Sequence, residues 1–265
     1  MARHRIDSLL AERGLAGSRT SAAESVRAGR VRLGRDGPLA IKPGQLVTED
    51  TELLLEDGPS YVSRGGVKLA SALDAFGLEP AGRDCIDVGA STGGFTDVLL
   101  QRGAARVIAL DVGRGQLDWG LRNDDRVHVM ERVNARDLDG VDLPFDPNLA
   151  TIDVSFISLA LVLPAVVSRL EPAHFDVLAL VKPQFELSRE RVGKGGVVRS
   201  AGDRRAALLA AAEAARAAGL VLRGFASSGL PGPKGNRETF MWASTDGPGA
   251  DPEEAALRAE PEEER

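Results

Sequence analysis

From Asp84 the chain reads Cys85-Ile86-Asp87-Val88-Gly89-Ala90-Ser91-Thr92-Gly93-Gly94-Phe95, followed by the apolar Val98-Leu99-Leu100. An apolar run that breaks into a glycine-rich loop and resumes at helical spacing is the first βα turn of a doubly wound sheet. Glycine at 89, 93 and 94 lets the backbone turn tightly and lets a ligand approach with no Cβ in the way. Further short apolar runs, Arg106 to Asp111, Val127 to Met130, Leu149 to Asp153 and Phe175 to Lys182, alternate with helical segments, as a parallel sheet requires. Leu220 to Phe225 and Glu238 to Trp242 read as a terminal strand pair turning through Leu230-Pro231-Gly232-Pro233. The expected fold class is α/β, a Rossmann-like, mostly parallel sheet.

The loop narrows the ligand. A dinucleotide site wants G-x-G-x-x-G and a P-loop wants Gly-Lys-Ser/Thr; the loop has neither spacing, and no lysine follows Gly94. Asp87 instead puts a carboxylate at the strand end, which suits the amino acid portion and sulfonium of S-adenosylmethionine better than a phosphate. Asp111, ending the next strand, stands where an acid would hold a ribose diol. Cys85, inside the strand, reads as core. Asp153 and Lys182 also end strands, and open α/β sheets bind their ligands beyond those ends.

Composition removes other classes. One cysteine excludes a disulfide framework, and three histidines, none spaced as a pair, leave no zinc constellation, so no metal is expected. The stretch between Asp153 and Arg169 is too short for a membrane span, and the chain opens without an apolar leader, so a cytoplasmic protein is expected. The net charge of −6 is unevenly placed. Residues 246–265 carry eight acids against two arginines, the whole of that −6, and with almost nothing apolar they are expected to be a disordered tail. Residues 1–42 carry nine Arg/Lys against four acids, a local +5 of the kind that meets a phosphate backbone. Lysine is scarce, at positions 42, 68, 182, 194 and 234 only, so each draws attention.

The N-terminal segment reads as two short helices, Ile6 to Gly14 and Ser18 to Gly29 with Ser18 as N-cap, then short strands around Val31, Leu39 and Leu46. Its Arg5-Ile6-Asp7, Gly14-Leu15, Ser18-Arg19, Ala22, Gly29-Arg30-Val31, Lys42-Pro43 and Asp50 resemble the small RNA-binding domain first known from ribosomal small-subunit protein four, the S-four domain. That resemblance implies that Arg3, Arg5, Arg19, Arg30 and Arg32 face structured RNA.

Taken together, Val62-Ser63-Arg64-Gly65 with Lys68, Asp87 through Thr96, Asp111-Val112-Gly113-x-Gly115-Gln116-Leu117, Asp153 through Ser158, Leu180 through Glu186 and Gly235-Asn236-x-Glu238-Thr239-Phe240 resemble the TlyA family. Its members look like FtsJ-type RNA 2′-O-methyltransferases joined to an S-four domain. The resemblance implies a class I methyltransferase with a seven-stranded sheet, S-adenosylmethionine as donor, and cytidine ribose of 16S or 23S ribosomal RNA as acceptor. It implies domains at 1–60 and 61–245, with the tail after them. It implies a tetrad of Lys68, Asp153, Lys182 and Glu238. Donor binding is assigned to Asp87, Gly89, Ala90, Ser91, Gly93, Gly94, Phe95, Asp111 and Asn134, and RNA binding extends to Arg64.

The chemistry fits the residue types. A ribose hydroxyl is a poor nucleophile and needs a base to take its proton as it attacks the methyl. Lys182 is the expected base and must be neutral to act. Burial and a second ammonium favour a neutral amine, neighbouring carboxylates favour the charged one, and the tetrad holds both kinds of neighbour. Phe156 and Phe185 can stack on a flipped base or simply pack in the core, Arg189 to Arg199 with Lys194 can form a mobile loop over RNA or a plain surface loop, and Tyr61 sits at the domain junction. Two other readings compete: a membrane-damaging protein, after the haemolysin label the family carries, and an RNA-binding protein without activity.

Overall fold

A computed structural model of the 265-residue chain describes residues 3–56, 61–193, 195–232 and 234–260. The expected domain boundary at residue 60, Lys194 of the basic loop, Pro233 of the last turn and the final five residues of the tail lie outside the described residues. The chain divides into two compact units, Met1–Val67 and Lys68–Arg265.

In the first unit, β1 (Arg3–Arg5) leads into α1 (Ile6–Glu12) and α2 (Arg19–Arg27), followed by β2 (Val31–Leu33), β3 (Leu46–Thr48) and β4 (Leu53–Leu55). Ser18 caps α2 by accepting from the Ser21 amide at 3.1 Å, and Gly14 and Gly29 take positive φ beyond the helix ends, as the sequence predicts. The strands form two antiparallel pairs, β1 with β3 and β2 with β4, while Leu39 makes only an isolated bridge to Arg32. Ile6, Leu10, Val26 and Val31 anchor a small core of their own. Tyr61 is buried, and a Cβ on Gly66 would lie 2.5 Å from the Tyr61 Cβ, so glycine is what lets the helix that follows close on that side chain.

That helix is α3 (Arg64–Phe76), with Lys68 in its second turn. The second unit continues with β5 (Asp84–Val88), α4 (Gly94–Gln101), β6 (Arg106–Asp111), α5 (Trp119–Arg122), β7 (Val127–Glu131), β8 (Leu149–Ile152), α6 (Leu159–Val167), β9 (Asp176–Val181), α7 (Pro183–Glu186), α8 (Ala201–Ala217), β10 (Val221–Ser227), β11 (Thr239–Ser244) and α9 (Pro252–Ala259). The seven-stranded sheet has the order β10-β11-β9-β8-β5-β6-β7. β5 pairs in parallel with β6 on one side and β8 on the other, so the chain reverses its direction of travel across the sheet at β5. β11 enters antiparallel between β9 and β10. Because it is reversed, its amino end lies at the carboxyl edge of β9, with Thr239 opposite Val181. The core is apolar strand residues such as Ile86, Ile108, Ile152 and Val177 packed under α6 and α8.

Two expectations need correction. Asp87 does not open toward a ligand. It is fully buried, and its carboxylate accepts from the Thr96 amide at 2.9 Å, the Thr96 hydroxyl at 2.7 Å and the Thr151 hydroxyl at 3.2 Å, tying β5 to the start of α4 and to β8. Burial pushes this carboxyl up to about 7; the Thr96 and Thr151 donors pull it down and the nearby Asp153 charge adds to the rise. The acidic tail, expected to be disordered, forms α9 over its described part. Asp251 caps it by accepting from the Glu254 amide at 2.8 Å, Pro252 starts it, and Glu253 and Glu254 sit at the positive end of the helix dipole. Ala256 is buried, and Glu260 is held by the Arg204 guanidinium of α8 at 2.8 Å, both side chains 5% exposed. Capping and one buried ion pair supply the order that apolar area does not.

Because the folded Asp87 carboxyl titrates near 7 against an ordinary value of 3.8, its contribution to stability is present below about pH 3.8 and is lost as pH rises through about 7. Unfolding free energies measured from pH 4 to 7 should therefore fall in the wild type relative to Asp87→Asn, by on the order of 3–4 kcal/mol across the window. Parallel curves would contradict that assignment. Glu260→Ala should cost roughly 3 kcal/mol in urea unfolding, the cost of leaving a buried guanidinium without its carboxylate. An unchanged midpoint and slope would show that α9 contributes nothing to stability.

Candidate active site

The carboxyl ends of β5 and β8 meet where the sheet order reverses. Gly89, just past β5, has φ +88°, and a Cβ there would lie 2.5 Å from the Asp153 carbonyl oxygen, just past β8. Glycine is required here by the neighbouring strand, not by a ligand. The same holds at Gly93, where a Cβ would meet the Leu121 Cδ1 at 2.3 Å. Beside this junction lies a cavity of about 500 Å³, in the range of ligand pockets. Leu110, Val133, Ile157 and Val162 give it apolar walls. Asp111 stands among them, accepting from the Ser91 amide at 2.8 Å and the Gly113 amide at 2.6 Å, so its carboxylate is fixed while keeping lone pairs for a diol. Asn134 accepts from the Arg136 amide at 3.1 Å and starts the short helical turn that forms another wall.

Of the residues assigned to the donor, Gly89, Ser91, Asp111 and Asn134 line this cavity. Asp87, Ala90, Gly93, Gly94 and Phe95 do not. Asp87 is buried among threonines, and Phe95 packs on Phe240 with ring centroids 5.6 Å apart. These residues shape the loop from behind. Sequence reasoning assigned no role to Gln116 or Arg136, which also line the cavity; Gln116 accepts from the Ser91 hydroxyl at 3.3 Å. Its place in the stretch after Asp111 was the available signal.

Adjoining it is a second cavity of about 500 Å³, which contains the whole tetrad, Lys68, Asp153, Lys182 and Glu238. Each member is delivered by backbone geometry. Asp153 and Lys182 follow the parallel strands β8 and β9, Glu238 precedes the reversed strand β11, and Lys68 stands on α3. Lys182 Nζ lies 2.5 Å from Asp153 and donates to the Ser155 hydroxyl at 3.0 Å; Lys68 Nζ lies 2.5 Å from Glu238. The two ion pairs close on themselves. Asp153, Ser155 and Phe156 line both cavities and form their common wall.

The loops after β8 and β9 are joined twice more. Phe156, 90% exposed and at φ +65°, lies against Phe185 with centroids 5.2 Å apart, so the pair is a surface platform and not core. Glu186 accepts from the Ser158 hydroxyl at 2.6 Å and the Leu159 amide at 3.0 Å, and burial raises its carboxyl above the ordinary value. Of the two readings of the basic loop, mobile or plain surface, its described residues favour the second, since they are tied down. Arg191 pairs with Asp203 at 2.6 Å, and the buried Asn236 side chain donates to the Gly196 carbonyl at 2.7 Å and accepts from the Val198 amide at 2.8 Å.

In the first unit, Asp7 gathers two of the expected RNA-facing arginines, Arg5 at 2.7 Å and Arg19 at 3.4 Å, and the Arg5 guanidinium is the main reason its carboxyl is lowered to about 2. Arg32 pairs with Glu56 and donates to the Gly37 carbonyl at 2.9 Å, Arg30 donates to Ser25 at 3.0 Å, and Arg64 donates to the Ile41 carbonyl at 3.3 Å. Arg3 is exposed on β1. Arg5 and Arg19 thus share Asp7, while Arg30, Arg32 and Arg64 are held by other local partners.

Comparison with known proteins agrees with this geometry. The profile of the FtsJ-like methyltransferase family matches residues 61–245. The 16S/23S rRNA (cytidine-2′-O)-methyltransferase TlyA of Mycobacterium tuberculosis is 50% identical over 245 residues, 92% of this chain and 90% of that protein. Hemolysin A of Brachyspira hyodysenteriae is 39% identical over 196 residues, 74% of this chain and 80% of its own. A solved structure from Streptococcus thermophilus carrying a provisional hemolysin name superposes with a TM-score of 0.73 at 42% identity, covering 98% of this chain and 96% of that one. Among the described residues no helix is long and apolar enough to cross a membrane. By sequence and by fold, the chain belongs to the FtsJ-like methyltransferases and, within them, to the TlyA family.

Proposed function

We propose that this chain transfers a methyl group from S-adenosylmethionine to the 2′-hydroxyl of a cytidine ribose in ribosomal RNA. The observation that carries the reading is the common wall: an apolar-walled cavity of about 500 Å³ with a fixed acid, and a lysine–carboxylate cavity, meet at Asp153, Ser155 and Phe156. The name of the Mycobacterium tuberculosis relative supports the choice of acceptor.

In this reading Asp111 holds the donor's ribose diol, Gly89 and Ser91 line its path, Asn134 and Arg136 flank it, and the apolar walls take the adenine. The donor, when bound, supplies an electrophilic methyl on a sulfonium. The protein does the rest. Phe156 and Phe185 offer a face for the base of an extruded nucleotide. Lys182, after its ammonium has given one proton to solvent, takes the hydroxyl proton as the oxygen attacks, with Asp153 and Ser155 fixing the amine in place. The carbon–oxygen bond forms as the carbon–sulfur bond breaks, so the sulfur leaves uncharged and the proton stays on the amine. Lys68 and Glu238, paired with each other, complete the lining of the cavity. The N-terminal unit, an S-four-like domain in this reading, meets structured RNA through Arg3, Arg5, Arg19, Arg30 and Arg32, with Arg64 at its end. Asp7 presents Arg5 and Arg19 together.

Methyl transfer from radiolabelled S-adenosylmethionine to ribosomal subunits from a strain lacking cytidine methylation tests the assignment. Lys182→Ala should lower kcat by at least about a hundredfold with donor Kd unchanged; appreciable residual turnover would remove Lys182 as the base. Asp111→Asn should weaken donor binding by about tenfold or more in isothermal titration. If its affinity matched wild type, the donor would have to lie elsewhere.

A further inference from the structure

We propose that Lys234 binds a phosphate of the RNA backbone next to the reacting ribose, and so belongs to the acceptor site as a substrate-binding residue. The inference rests on the reading above that the acceptor is RNA.

The acceptor cavity is lined by three lysines, Lys68, Lys182 and Lys234, and two carboxylates, Asp153 and Glu238. Two of the lysines are closed off, Lys68 on Glu238 and Lys182 on Asp153, each at 2.5 Å. Lys234 has no ion pair or hydrogen bond among the described residues. Among the described residues that line the cavity, Lys68 and Lys182 are each matched to a carboxylate and Lys234 is not. A ribose hydroxyl brings no charge with it, but its phosphodiester brings one negative charge. Entry of that phosphate without a partner would be unfavourable in a partly desolvated cavity, and an ammonium already waiting there removes the cost.

Position and residue type agree. Lys234 lies in the loop between β10 and β11, four residues before Glu238. The turn is closed by the Gly232 amide donating to the Asn236 carbonyl at 2.8 Å and the Gly235 amide donating to the Gly232 carbonyl at 2.9 Å. Asn236 in turn fastens the segment at Gly196 and Val198. The ammonium reaches toward that segment, since a Cβ on Gly196 would lie 3.8 Å from Lys234 Nζ. It is therefore offered from a pinned loop. The chain has 33 basic side chains, only five of them lysine, yet three of those five line this cavity. A lysine meets one phosphate oxygen as a compact charge, whereas the arginine fork favours two-point contact.

The test uses the full chain, S-adenosylmethionine and unmethylated ribosomal subunits, with Lys234→Gln and Lys234→Arg. Lys234→Gln should raise KM for the subunits roughly tenfold, change kcat far less and leave donor Kd alone. Its plot of log kcat/KM against log salt should be shallower by about one. Lys234→Arg, which keeps the charge, should keep the wild-type salt slope. Unchanged KM and slope in Lys234→Gln, with wild type turning over normally, would show a solvated surface cation and overturn this inference alone. A weakened donor Kd that accounts for the loss would also overturn it, by placing Lys234 on the donor. No transfer to either subunit by wild type would remove the RNA reading and this inference together.

Discussion

The pairing of Lys182 with Asp153 depends on how the sheet is wound, and the site depends on that pairing. Strands that start in the middle of the sheet and run outward to one side, then resume on the other, leave β5 and β8 as parallel neighbours whose carboxyl ends meet beside the crevice. β9 adds a third carboxyl end beside them. Only a reversed strand can bring an amino end to that edge, and β11 does so, which is why Glu238 stands beside Lys182 although 56 residues separate them in sequence. Close fit at the crevice is enforced by backbone: nothing larger than hydrogen is tolerated on Gly89 facing the Asp153 carbonyl.

The electrostatics follow from the same arrangement. Among the described residues, the cavity lined by the tetrad holds five titratable side chains, four of them joined in two short pairs. Such pairing lets charged groups occupy a partly buried cavity without the full desolvation penalty of isolated ions. It also fixes each amine by its carboxylate. Phe156 in a left-handed backbone conformation, with its ring almost wholly exposed, is a strained arrangement that Phe185 and the Glu186 contacts to Ser158 and Leu159 hold in register. These contacts join the loops after β8 and β9 into one unit.

Much of this was legible in the sequence. Apolar runs gave the sheet strands to within a residue or two, and the tetrad could be named from the resemblance to the TlyA family, with Asp153 and Lys182 also legible as strand ends. Asp87 was misread for a physical reason. Every residue from Cys85 to Val88 is buried, so alternation along β5 does not say which side faces a ligand. The glycines were read as making room for a ligand, whereas at 89 and 93 the room is taken by Asp153 and Leu121. The acidic tail was judged on apolar content, which is blind to an Asp-Pro-Glu-Glu helix start and to a glutamate that finds a buried arginine 56 residues earlier. Lys234 stood out only as a scarce residue type; where its loop points depends on hydrogen bonds from Asn236 that no spacing encodes.

A crystal structure of the chain with S-adenosylhomocysteine and a cytidine-containing RNA fragment tests the central claim most directly. The account predicts the adenosine diol on Asp111 and the thioether sulfur at the wall formed by Asp153 and Phe156. It predicts the ribose 2′-oxygen on the far side of that wall, within hydrogen-bond reach of Lys182 Nζ. A nucleoside lodged away from Asp111, or a 2′-oxygen out of reach of Lys182 in a fully occupied complex, would contradict it.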